Sequence, residues 1–164
     1  MRSFLLGVLL SEPALLGAQV RDTVSASSPV NVWLSVSLGP GASGTDSPLI
    51  GGQLALWGSV DRIAFGIRRA GAANVDDRDN YDTALLAGMR SRAEDVTAVV
   101  AVGPSLIGGT RSGDRLGPDL GLSFAGELAW NLRWTGLGVG TFGGLGARTR
   151  FAGLGVTVEF GKIR

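Results

Sequence analysis

The sequence predicts an all-β fold, an eight-stranded antiparallel up-and-down β-barrel. Eight segments alternate apolar residues with small or polar ones at a period of two, which is the strand period. Their connections alternate between long and short, and an even strand count returns both chain ends to one side of a barrel. Although 45% of the 164 residues are hydrophobic, no apolar run approaches the ~20 residues of a membrane-spanning helix.

The first four strands follow from an alternation that starts at Val30, where Val32 and Leu34 flank Trp33. They are predicted over 30–38, 50–57, 63–68 and 81–90. Segments rich in Gly, Pro, Ser, Asp and Asn separate the first strand from the second and the third from the fourth. These segments are predicted loops, over 39–48 and 71–80. A tight turn at residues 60–62 joins the second strand to the third.

The last four strands continue the same scheme. They are predicted over 96–102, 120–130, 136–141 and 153–160. Charged residues 92–95 and residues 131–133 form short turns before the fifth and the seventh strand. Longer loops are predicted over 103–119 and 143–149, where glycine is frequent.

The composition of the two strand faces indicates which of them meets lipid. Opposite the apolar positions lie mostly Gly, Ala, Ser and Thr with a few single charges. Strand positions that face water normally carry Lys, Glu, Thr and Arg, so this face makes a poor solvent surface. It suits the inside of an eight-stranded barrel, which is just wide enough for side chains to fill. The prediction is therefore a transmembrane barrel with its apolar face outward.

The single charges on the inner face need partners, because an unpaired buried charge is costly. Strand direction places Arg68 and Asp82 near the long-loop end of adjacent strands, and we predict that they pair. Arg90 lies nearer the short turns, and we predict that it pairs with Glu127 or Glu159. These two clusters are expected to fill the lumen rather than to transport or catalyse.

Aromatic residues are expected at both membrane interfaces of such a barrel. Trp130 and Trp134 flank a short turn and Phe160 ends the last strand, so they are assigned to the interface at the short turns. Tyr81 and Phe142 are assigned to the opposite interface.

The N-terminus has the features of a secretory signal peptide: Arg2, a short apolar stretch, and a small residue before a polar segment. A signal peptide is predicted over 1–18, with a cut after Ala26 as the alternative. Residues 19–29 are then a periplasmic segment, 30–161 the transmembrane barrel and 162–164 a C-terminal tail.

The composition excludes several kinds of chemistry. A net charge of +1 with scattered arginines argues against a nucleic-acid partner. Without His no serine has an obvious base, and without Cys there is no thiolate ligand, so we expect neither an enzyme nor a metal site. The G-x-G-x-x-G match at 138–143 continues a strand instead of opening a helix, so no cofactor is expected. The acidic segment 76–82 is read as a solvated loop rather than a calcium site.

Residues 126–164 carry a resemblance to a known family. Glu127-Leu-Ala-Trp130, the glycine-rich strand from Gly136, and Leu154-Gly-Val-Thr-Val-Glu-Phe160 resemble the closing hairpin of the outer-membrane β-barrel domain proteins. The resemblance implies a place in the outer membrane of a Gram-negative-type bacterium. Outer-membrane lipid and the barrel insertion machinery are the partners that it implies.

The expected function is membrane-structural or surface-binding, through the long loops, because rigid scaffolds carry their binding residues there. The extracellular ligand is not identifiable from the sequence. A narrow porin-like channel for small solutes is the first alternative. A soluble lipocalin-like carrier of small ligands is the second, since an eight-stranded barrel also serves that class.

Overall fold

A computed structural model describes residues 30–43, 45–74, 79–93, 95–111 and 114–161. These residues form eight strands: β1 (Asn31–Ser43), β2 (Thr45–Val60), β3 (Ile63–Ala73), β4 (Asp79–Ala93), β5 (Val96–Arg111), β6 (Asp114–Leu132), β7 (Thr135–Gly146) and β8 (Arg150–Gly161). Each strand pairs antiparallel with the next, and β8 pairs with β1, so the sheet closes into a barrel. The predicted fold class is confirmed. The predicted signal peptide, the periplasmic segment and the C-terminal tail lie outside the described residues.

The two faces of the barrel differ as the alternation requires. Apolar side chains at every second position point outward, and Leu120, for example, is 81% exposed. Their neighbours point into the lumen, where Trp33 pairs with Trp57 across β1 and β2. This arrangement inverts a water-soluble barrel, because large apolar groups lie outside and charged groups inside. Among the described residues, no helix is long and apolar enough to cross a membrane.

We call the end of the barrel with the short connections the turn end, and the opposite end the loop end. The short connections include residues 61–62, Asp95 and residues 133–134, and Asn31 and Gly161, the first and last strand residues, lie beside them. Asp61 and Arg133 begin two of these turns with φ of 53° and 56°. Positive φ is what two-residue hairpin turns require, because it matches the twist of the strands they join.

The loops that the sequence predicted are mostly strand. Of the predicted loop over 103–119, β5 takes the residues up to Arg111 and β6 takes those from Asp114. The loops predicted over 39–48, 71–80 and 143–149 shorten in the same way. The prediction was wrong because Gly and Pro were taken as strand breakers, whereas pairing with a neighbouring strand keeps these residues extended, on one side alone for residues 114–120.

Pro104 shows how the barrel accommodates such a residue. It pairs with Leu122 of β6, but the β4–β5 register passes from Ala84–Ser105 to Ala87–Val102 without pairing it. Proline has no N–H to donate to a ladder. The pairing with β4 is therefore interrupted at Pro104, while the pairing with β6 holds the residue in place.

Candidate functional site

The lumen is the candidate site, because the buried polar and charged side chains of the described residues converge there. Its loop end is closed by an apolar cluster. This cluster, which we call the apolar cap, consists of Leu49, Ala70, Ala72, Ile107, Phe142 and Phe151. Each member is at most 4% exposed. Since β2, β3, β5, β7 and β8 all contribute, the apolar cap ties opposite walls together.

Phe142 corrects a prediction from the sequence, which placed it at the membrane interface. It lies on the same face of β7 as Gly138 and Gly140, and it is 0% exposed inside the lumen. Gly153 and Gly51 make room for its ring, because a Cβ at Gly153 would overlap the ring and one at Gly51 would approach it to 3.0 Å. The small residues of the lumen therefore leave the space that a few large side chains fill.

Below the apolar cap lies an ion pair. The Arg68 guanidinium donates to the Asp82 carboxylate, and the side chains of both residues are 0% exposed. The same guanidinium donates to the carbonyls of Phe124 and, at 3.2 Å, of Gly143, while the Ser123 hydroxyl donates to Asp82. The structure thus brings together the two residues that the sequence paired, and it adds partners from β6 and β7.

The centre of the lumen is organised around Glu127. Its Oε1 accepts hydrogen bonds from the Ser35 hydroxyl at 2.7 Å, the Gln53 amide at 3.0 Å and the Trp57 indole at 3.2 Å. Gln53 also donates to Ser37 at 3.1 Å, and the Ser37 hydroxyl lies 2.6 Å from that of Thr157. This network joins β6 to β1, β2 and β8 across the lumen. Glu127 therefore takes neutral donors, although the sequence had offered Arg90 as its partner.

Arg90 lies at the turn end of the lumen. It donates to the Ser59 hydroxyl at 2.9 Å, and its guanidinium lies over the Trp33 ring, 5.1 Å from the centroid. Of the two carboxylates that the sequence offered it, Glu159 is the one whose charge acts on Arg90. The Trp33 and Trp57 rings stack next to this site with their centroids 6.1 Å apart.

The other aromatic residues assigned to the interfaces point away from the lumen. Trp130, Trp134 and Phe160 are between 47% and 66% exposed and lie at the turn end. Tyr81 lies at the loop end, with the Arg69 guanidinium over its ring at 5.4 Å. Phe142 alone among these five lies inside.

Sequence reasoning missed three contributors to the lumen. Ile107 was hidden in a predicted loop, although Ser105 and Ile107 continue the inward alternation of β5. The period-two alternation also puts Gln53, Trp33 and Trp57 on the inner face, but the alternation alone gives them no role. A signal was present: these are among the largest side chains in a row of small ones, and a lumen lined by glycine needs large residues to fill it.

The described residues offer little to a metal ion. None of them belongs to a group of three or more His, Cys, Asp or Glu side chains that is arranged to hold one. Residues 76–78 of the acidic segment lie outside the described residues, whereas Asp82 is committed to Arg68.

Known structures share this architecture. No protein-family model matches the sequence, and no curated protein matches it significantly. Neisserial surface protein A superimposes with a TM-score of 0.61 and 12% identity, over 80% of this chain and 96% of that one. The N-terminal β-barrel domain of Pseudomonas aeruginosa OprF gives 0.55 and 13%, over 80% and 97%. Ail of Yersinia pestis, crystallised with the heparin analogue sucrose octasulfate, gives 0.53 and 11%, over 80% and 96%.

These neighbours are eight-stranded outer-membrane β-barrels, and this chain has their fold. At such identities the likeness concerns the fold, and function has to be argued from the chain's own residues.

Proposed function

We propose that this protein is a closed, non-enzymatic β-barrel of the outer membrane of a Gram-negative-type bacterium, with a surface-binding role at its loop end. One observation carries the proposal: large apolar side chains cover the outside of the barrel while the lumen is filled. A contiguous apolar surface of this size would make a soluble protein aggregate, whereas lipid accommodates it. A lipocalin-like carrier would instead need an open, apolar lumen.

The lengths of the strands support a role at the loop end. A strand of about 9–11 residues crosses a bilayer, whereas β6 has 19 residues and β5 has 16. The exposed apolar residues of β6 begin at Leu120, and Asp114, Arg115, Gly117 and Pro118 precede them. The β5–β6 hairpin therefore extends beyond the lipid-facing belt as a ribbon, anchored at Asp119 by an ion pair of 3.8 Å to Arg148.

Cysteine labelling tests the location and the orientation together. The chain has no Cys, so a single introduced thiol reports one position. Gly117→Cys places it on the projecting ribbon, where an added Cβ meets nothing within 4 Å, and Asp95→Cys places it in an exposed turn at the turn end. In intact cells of a Gram-negative host, a membrane-impermeant maleimide should label Gly117→Cys alone. Asp95→Cys should react only after the outer membrane is permeabilised.

The matched pair makes the result unambiguous. Labelling of both thiols, or of Asp95→Cys alone, would contradict the proposed orientation. Recovery of the protein without detergent in the soluble fraction would contradict the membrane location and favour the carrier.

Planar-bilayer recording separates the closed barrel from the narrow channel. Because the apolar cap and the ion pair below it fill the loop end of the lumen, the purified protein should produce no steady single-channel steps. Regular steps of one amplitude would favour the porin-like alternative instead.

A further inference from the structure

The barrel wall has a notch at the turn end, next to the β2–β3 turn. The last β3–β4 pair is Ile63 with Met89, and the Arg90 N–H still donates to the Arg62 carbonyl at 2.7 Å. Beyond that point β4 continues to Ala93 in pairing with β5. β3 begins only at Ile63, so it offers this part of β4 no partner. The step between the two hairpins opens a pocket of about 720 Å³. Small-molecule sites typically measure about 300–1,000 Å³.

The charges around this notch are mainly positive. Arg62, Arg90 and Arg92 line the pocket together with Asp61. Arg62 and Arg92 are exposed, whereas Arg90 lies deeper, held by Ser59 and Trp33. Arg90 already has the Glu159 carboxylate as a counter-charge, so Arg62 and Arg92 are the cations that an occupant of the pocket would meet. Guanidinium groups match the oxygens of a phosphate.

The other side of the notch is apolar and faces outward. Met89 and Val100 line the same pocket and are 68% and 67% exposed. They lie side by side on β4 and β5, on the face that meets lipid. An occupant therefore meets a cationic rim and an apolar wall within one pocket, which is the chemistry of an anionic amphiphile.

From this arrangement we propose that the notch is a binding site for an anionic phospholipid of the inner leaflet. Its phosphate lies between Arg62 and Arg92, and an acyl chain runs along Met89 and Val100. The proposal rests on the proposed membrane location, and it adds a lipid class and a binding site to it.

Native mass spectrometry of the purified barrel tests the site. The protein is released from micelles that contain equal amounts of palmitoyl-oleoyl phosphatidylglycerol and palmitoyl-oleoyl phosphatidylcholine. We expect retention of the phosphatidylglycerol. Arg62→Gln and Arg92→Gln should each reduce its retention about fivefold, the change expected from one arginine near an anionic headgroup. Arg133→Gln removes the same charge from another turn at this end, outside the pocket, and should leave retention unchanged.

The possible failures can be told apart. Equal retention of the two lipids would overturn the site, and so would a loss in Arg133→Gln equal to that in Arg92→Gln, since either means general attraction to charge. Displacement of the lipid by inorganic phosphate alone would also overturn it, in favour of a free-anion site. Insertion into phosphatidylcholine vesicles is measured in parallel, because failure there contradicts the membrane location rather than the lipid site.

Discussion

We expect Asp82→Ala to lower the free energy of unfolding by about 3–5 kcal/mol, the range for removing one partner of a buried ion pair. The substitution leaves the Arg68 guanidinium in the lumen with only the carbonyls of Phe124 and Gly143 to accept its hydrogen bonds. A full positive charge then loses its adjacent counter-charge at a place where both side chains were 0% exposed, and only the more distant Glu127 carboxylate still attracts it. Urea unfolding in lipid vesicles, followed by tryptophan fluorescence, measures the change.

Two further variants isolate the cause. Arg68→Met combined with Asp82→Leu removes both charges and keeps apolar bulk, so it should recover most of the lost stability. Arg69→Ala removes the neighbouring arginine, which faces outward over Tyr81, and should cost only about 0.5–1 kcal/mol. A double variant as unstable as Asp82→Ala would mean that packing, not an uncompensated charge, limits the stability.

The sequence predicted most of the fold because the alternation within each strand is local and because the strands, whose even number permits closure, can be counted. A strand pattern assigns each side chain to a face, and antiparallel order assigns each strand its neighbours. Arg68 and Asp82 were paired from this information alone. Asp82 on β4 pairs with Ala70 on β3, and Arg68 is the next inward-facing residue of β3. The face and the neighbouring strand were sufficient there.

Contacts across the lumen were not predictable in this way. Glu127 on β6 is bound by Ser35 on β1 and by Gln53 and Trp57 on β2, strands that are not its neighbours in the sheet. Which residues meet across a barrel depends on the stagger of the strands and on side-chain volumes, and a period of two contains neither. Phe142 was misplaced because its strand was expected to end at Thr141, although its inward phase was already set by Gly138 and Gly140.

Phe142 is also the residue whose truncation should most affect the loop end. Phe142→Ala removes a fully buried ring from the apolar cap, and such changes cost about 3–5 kcal/mol when the surroundings cannot collapse. A closed sheet cannot move one wall inward without disturbing its pairing, so the cavity should persist. Urea unfolding in vesicles measures the loss, with Phe124→Leu, a change on the outer face of the barrel, as the control.

Gly153 provides the sharper test of that packing. A side chain there would overlap the Phe142 ring, so Gly153→Ala should cost about 1–3 kcal/mol by overpacking in the wild-type barrel. In the Phe142→Ala background the added methyl group enters the cavity left by the ring, and the same substitution should then cost much less. A double-mutant cycle measures this coupling directly. If the losses of unfolding free energy in the two single variants simply added, Gly153 would be required for its backbone rather than for the space it leaves to Phe142. The packing of large against small residues in the lumen would then be refuted at this position.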